Sequence, residues 1–317
     1  MRYRCAIGAL AVAACSSSGG GGSAGEDGGA GDGPPVDAAV DDSPAVDAAG
    51  SDGSAAPPCP GARPDGTNTG VPPSVVLKTV NQDVVVTVDG TMIDAQDIHG
   101  FLTIKASHVR VSRSIVRGRG TTATTAIIRI DSGSDIAISD TEVAAAEPSV
   151  DLDGVWASGA TLTRVHIRGG VDGMKLGDDT RVECSYIHDL VSFASDPNQG
   201  GGPTHNDAIQ ILSGARIAIV GNQLIAARSQ NAAIQITQDF GAVSDVRLER
   251  NWADGGGCTF NLSHKGGASL AVVTRGNRFG RDSSFGCPIL KSTKTTLDGA
   301  GDVYDDDGTQ VPVQTHD

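Results

Sequence analysis

Short apolar runs return along this chain with no helical pattern between them, and that recurrence limits the fold more than any other feature. One set reads "TAIIRI" (125–130), "DGVWA" (153–157), "DGMKL" (172–176), "DAIQI" (207–211), "AAIQI" (232–236), "CTFNL" (258–262) and "CPILK" (287–291). A second set alternates with it: "VRVSRSIV" (109–116), "IAISDTEV" (136–143), "TLTRVHI" (161–167), "RVECSYI" (181–187), "IAIVGNQL" (217–224), "VRLERNW" (246–252) and "VVTRGNRF" (272–279). The period is about 20 to 37 residues. Laid under one another, Met174, Ile209, Ile234, Phe260 and Ile289 fall in one column. Leu176, Ile211, Ile236 and Leu262 fall in the column two residues on. A strand repeats its side every two residues, so these columns point inward and the residues between them outward.

Strands at a fixed period without connecting helices imply a solenoid, because each rung buries its apolar face only against its neighbours. A β-sandwich is the competing all-β arrangement, but the Asn-Gly hairpin turns it favours are scarce. Aromatic residues make up only 3% of the chain, which suits a core of stacked aliphatic columns. In the second set, Ser114, Thr141, Val165, Ser185, Asn222, Asn251 and Asn277 share a column just before a turn. Over roughly residues 80 to 305 these features resemble the pectate-lyase-like superfamily, whose turns carry an asparagine ladder. The resemblance implies an all-β fold, a right-handed parallel β-helix solenoid. The "RxPxxR" arrangement of pectate lyases is absent, as is the polygalacturonase series "NTD", "DD", "GHG" and "RIK", so no catalytic role is carried over from either.

The N-terminus has a different character. Arg2 and Arg4 precede a short apolar run from Ala6 to Ala14, the pattern of a signal peptide and too short for a bilayer span. "VAAC" (12–15) resembles the lipobox of bacterial lipoproteins, which implies cleavage before Cys15 and lipid attached to its thiol. Ser16 in the following position resembles the pattern directed to the outer membrane. From Ser16 to Pro58 the chain is rich in Gly, Ser, Pro and Asp, with no aromatic residue, and reads as a disordered tether. The expected organisation is therefore a signal segment at 1–14, a tether at 15–58 and a β-helix domain at 59–317. "CPGARPDGTNTGVPP" (59–73) is too rich in Pro and Gly for a strand and is expected to cross the N-terminal opening of the solenoid as an irregular cap. "GDVYDDDGTQVPV" is expected to close the other end. The expected location is exported and lipid-anchored, at the outer membrane or cell surface, with the membrane reached only through the anchor.

Residues 1–58 carry eight acidic and two basic side chains, leaving 30 acidic against 22 basic in the remainder. That balance argues against nucleic acid as a partner, since phosphate binding needs a basic footprint. None of the cysteines has the paired spacing of a zinc site. Cys258 and Cys287 hold the same position in successive rungs. Adjacent strands lie about 4.8 Å apart, within disulfide reach, so these two are expected to bond. Cys59 and Cys184 share no register, and their pairing stays open.

Between the inward columns of the first set, an outward one contains Arg129, Trp156, Lys175, Gln210, Gln235, Asn261 and Leu290. Amides, a cation and an indole in single file suit a sugar chain, so the expected partner is a polysaccharide. "HDLVSFASDPNQGGGPTHN" (188–206) is far longer than an ordinary connection and delivers His205 and Asp207 to one edge of this file. "NLSHKGG" brings His264 and Lys265 to the other. In the catalytic reading Lys175, His205, Asp207 and Lys265 carry the chemistry, and Trp156, Gln210, Gln235, Asn261 and His264 bind substrate. A lyase acting on a uronate-containing glycan by β-elimination would use Lys175 or His205 as base. Lys265, or a calcium ion held by Asp207, would stabilise the enolate. A hydrolase needs two flanking carboxylates, and the adjacent carboxylates in view are Asp178, Asp179 and Asp207. The alternative is a non-catalytic glycan-binding or adhesin-like surface protein. Asp305, Asp306 and Asp307 read as a solvated turn rather than a calcium site. His188 and Asp189 read as a local hydrogen-bonded pair, and His99, His108 and His166 as structural.

Overall fold

The computed structural model describes Cys59, residues 62–263 and residues 269–316. Residues 1–58, with Cys15 and the expected tether, lie outside the described residues, as do His264 and Lys265.

The described strands form three sheets of ten, ten and nine members, and each coil of the chain visits the three in turn. Neighbouring strands run parallel throughout; an isolated bridge between Val303 and Gln310 is antiparallel. This is an all-β, right-handed parallel β-helix solenoid. The first sheet begins at Lys78–Val80, the second at Val84–Val86 and the third at Met92–Asp94.

Strand register agrees with the sequence columns. Met174 pairs with Ile209, Ile209 with Ile234, Ile234 with Phe260, and Phe260 with Ile289. All five are buried, and they join a continuous aliphatic core running along the axis. Each rung alone could not bury these side chains; stacking removes them from water on both sides.

The turn between the third and first sheets is built from two adjacent columns. Arg113, Asp140, Arg164, Cys184, Gly221, Arg250 and Gly276 all adopt positive φ and so reverse the chain in a very short span. The ladder residues follow directly. Asn222 Nδ2 donates to Asn251 Oδ1 at 3.0 Å and Asn251 Nδ2 to Asn277 Oδ1 at 3.0 Å. Asn277 Nδ2 donates to Asp302 Oδ1 at 2.8 Å, so an aspartate ends the ladder. These oxygens, and Asn222 Oδ1, also accept backbone N–H groups from the preceding rung, which satisfies donors that the turn would otherwise bury unpaired.

Cys258 and Cys287 are register partners and form a disulfide, with Cα atoms 4.7 Å apart. Cys59 and Cys184 form a second one, across 125 residues. Their bond explains the path of the segment before the first strand. Instead of crossing the N-terminal opening, it lies along the outer side of the first sheet. Gly70 N donates to Arg164 O at 2.8 Å, and Arg63 reaches Gln223 Oε1 at 2.9 Å and Asp305 Oδ2 at 3.1 Å. Gly70 has φ +72°, and a Cβ there would come within 3.0 Å of His166 Cβ, so the strap packs against the sheet through glycine. At the other end, Val303–Tyr304 and Val313–Thr315 extend the first and second sheets as a last partial coil.

Candidate functional site

The second sheet carries the outward file. Arg129 pairs with Trp156, Trp156 with Lys175, Lys175 with Gln210, Gln210 with Gln235, Gln235 with Asn261, and Asn261 with Leu290. Successive members are one strand apart, about 4.8 Å. Trp156, Lys175, Gln210 and Asn261 are partly exposed, whereas Gln235 is nearly covered.

Three residues before Trp156, Lys175 and Gln210 stand Asp153, Asp172 and Asp207, stacked in a second file at the starts of three consecutive rungs. They are 3%, 3% and 0% exposed. Each of the first two carboxylates receives the backbone N–H of the next rung. Asp172 N donates to Asp153 Oδ1 at 3.1 Å, and Asp207 N to Asp172 Oδ1 at 2.8 Å. The remaining oxygens hold the outer file. Trp156 Nε1 donates to Asp153 Oδ2 at 2.7 Å. Lys175 Nζ bridges Asp153 Oδ2 and Asp172 Oδ2, the latter at 2.7 Å. Asp207 accepts from Asn231 Nδ2 at 2.9 Å and Gln210 Nε2 at 3.2 Å.

Three carboxyls around one ammonium cannot all be ionised cheaply in a dry setting. Burial raises the Asp172 carboxyl to about 6, with Asp153 adding to the rise and Lys175 opposing it. Burial, and then the neighbouring Asp172, raise Asp207 well above the ordinary carboxylate range. Burial alone would lower the Lys175 ammonium, but Asp172 and Asp153 more than offset it and hold Lys175 above the ordinary lysine range.

These contacts change what the sequence-predicted residues can do. Lys175 is a clamped cation, so it has no lone pair to offer as a base near neutral pH. Asp207 does not face the groove as an open ligand; it sits wholly buried behind Gln210 and Asn231. His205 is exposed and lines a cleft of about 540 Å³ beside the groove, and it is not one of the residues that bond the Lys175 cluster. Asn206, next to it, is a structural pin: its Nδ2 donates to Val171 O at 2.7 Å and Val191 O at 2.9 Å, tying the end of the long loop to its beginning and to the preceding rung. The roles expected of His264 and Lys265 fall outside the described residues.

The sequence reading missed Asp153, Asp172 and Asn231. The signal for the first two was present as the leading letter of "DGVWA", "DGMKL" and "DAIQI". Asp178 and Asp179 are taken up by the next turn, where Asp178 Oδ1 accepts from Ala215 N and Asp179 binds Arg216.

Among the described residues, no group of three or more His, Cys, Asp or Glu is arranged to hold a metal ion. Asp305 pairs with Arg63 and Arg278, and Asp306 and Asp307 with Arg281. His188 Nδ1 lies 2.9 Å from Asp189 Oδ2, and its Nε2 lies 2.6 Å from His166 Nε2 in a stack with Tyr186. Comparison with protein-family models, with curated proteins and with solved structures finds no match for this chain.

Proposed function

We propose that this is an exported, surface-tethered glycan-binding β-helix protein whose groove is the outward file of the second sheet. The observation that carries this reading is the orientation of the file's amides. Gln210 spends its Nε2 on Asp207, and Gln235 spends its Oε1 on Asn231 at 3.2 Å. Each therefore has its other amide atom fixed in direction, while Asn261 makes no side-chain hydrogen bond among the described residues. Donors and acceptors held one rung apart beside the Trp156 ring suit the hydroxyls and apolar faces of an extended sugar chain. The signal segment, the lipobox-like Cys15 and the tether support delivery to the outer membrane or cell surface. The resemblance to the pectate-lyase-like superfamily supports a polysaccharide partner.

Binding is favoured over β-elimination because Lys175 is committed to two carboxylates, which leaves His205 as the described base. A catalytic reading keeps one observation in its favour. Asp172 and Asp207 retain protons toward neutrality, as a glycosidase acid requires, although a substrate would first have to displace Gln210 and Asn231.

The test is affinity electrophoresis of the mature chain through gels containing neutral and uronate polysaccharides, followed by product assays for reducing ends and unsaturated uronates. Retardation is expected in at least one gel. Gln210→Ala with Gln235→Ala should weaken it about tenfold, as the loss of two oriented hydrogen bonds would. Free migration in every gel would sink the binding reading, and product formation would promote the catalytic one.

A further inference from the structure

A cleft of about 540 Å³ opens beside the groove, with Phe193, His205, Arg228, Asn231, Ser284 and Phe285 among its lining residues. Phe285 is 77% exposed, yet its position is closely held. Its ring rests on Gly257, where a Cβ would come within 3.1 Å of it. Ser284 N donates to Gly256 O at 2.8 Å and Phe285 N to Gly257 O at 3.2 Å. Two residues beyond Phe285 and one beyond Gly257, Cys287 and Cys258 form their disulfide, so the two sides of the platform are covalently joined. An aromatic ring left open on one face and immobilised beforehand loses little freedom when a ligand stacks on it.

The lining is nearly uncharged. Arg228 Nη1 lies 3.2 Å from Asp282 Oδ1, so its charge is already matched. In the adjoining file Arg129 is paired with Asp131, and Lys175 with Asp153 and Asp172. Neither the file nor the cleft offers an arginine or lysine without a carboxylate among the described residues. Asn231 joins the two regions: its Nδ2 contacts Asp207 and Gln235, while its Oδ1 has no partner among the described residues.

We infer that this cleft is a subsite for an uncharged sugar ring, stacked on Phe285 and hydrogen-bonded by Asn231, at the edge of the glycan groove. The inference rests on the glycan-binding reading and narrows it to neutral polysaccharides.

The experiment uses the mature full chain, with Phe285→Ser and Phe285→Trp variants, in affinity gels of β-glucan, galactomannan, arabinoxylan, polygalacturonate and alginate. Each gel is run at low and high salt. Retardation is expected in a neutral gel and should be insensitive to salt, since no net charge pairs across the contact. Phe285→Ser should weaken it about tenfold, and Phe285→Trp should restore it, without change in melting temperature. If Phe285→Ser binds like the parent while the Gln210 and Gln235 variants do not, the cleft subsite is wrong and the groove stands. Retardation confined to polygalacturonate or alginate and lost in high salt overturns the uncharged ligand class. Free migration in every gel overturns both.

Discussion

Replacing Lys175 with methionine keeps most of the side-chain volume but removes the charge between Asp153 and Asp172, whose side chains are only 5% and 4% exposed. Breaking a buried ion pair from one side costs about 3–5 kcal/mol, because the stranded charge stays out of water. The cluster has an escape through proton uptake. Asp172 titrates at about 6 even with the ammonium present, above its ordinary value of 3.8. A carboxyl raised on folding makes the native state bind more protons than the unfolded state, so stability falls as pH rises through the interval between the two values. For the parent protein that decline from Asp172 runs from about pH 4 to about pH 6, and Asp207, also raised by burial, contributes in the same direction. Without Lys175 the upper limit moves further up, and each additional retained proton steepens the decline by about 1.4 kcal/mol per pH unit. Lys175→Met should therefore lose the full amount at pH 8, a melting temperature lower by roughly 10 °C, and clearly less at pH 5. Adding Asp172→Asn should recover most of the loss at pH 8. Thermal melts of the three proteins at both pH values read this directly. Equal losses at pH 5 and pH 8, or no recovery in the double variant, would refute a charge-based account of the cluster.

Asn251→Ala should destabilise by about 2–4 kcal/mol in urea unfolding, because it strands the Asn222 amide, the Ile219 carbonyl and the Asn277 side chain in a buried turn. A loss under about 1 kcal/mol would mean that the ladder is dispensable. Removing the Cys59–Cys184 disulfide by paired serine substitution opens a 125-residue closure, worth about 4–5 kcal/mol on the chain-entropy account. It should open residues 62–73 to limited proteolysis that spares them in the parent, and uncut strap alongside a digested solenoid would contradict its placement on the first sheet.

The periodic part of this molecule was legible from residue order because a parallel solenoid converts sequence period into spatial stacking. Met174 over Ile209, Gln210 over Gln235 and Cys258 over Cys287 need only the repeat length to be aligned. Features outside the repeat were not legible. The strap's path depends on a disulfide between residues with no common register, and the Phe285 platform on how one loop settles over Gly257. Asp153 and Asp172 were missed for a different reason: they are periodic with Asp207, but their column is charged, and strand columns are ordinarily recognised by apolar character.

That aspartate file bears on function because the same solenoid solves the same backbone problem elsewhere with a run of neutral amides. In the turn, Asn222, Asn251 and Asn277 accept the N–H groups of neighbouring rungs through neutral amides, with a carboxylate, Asp302, at the ladder's last position. Beneath the groove, Asp153 and Asp172 accept equivalent N–H groups, yet they add carboxylates that burial disfavours. An amide at those positions would serve the backbone as well and avoid the electrostatic cost. An amide could not, however, clamp the Lys175 ammonium while also receiving Trp156 Nε1. The extra charge thus fixes the outward face and not the core, which places the demand for those carboxylates in the groove.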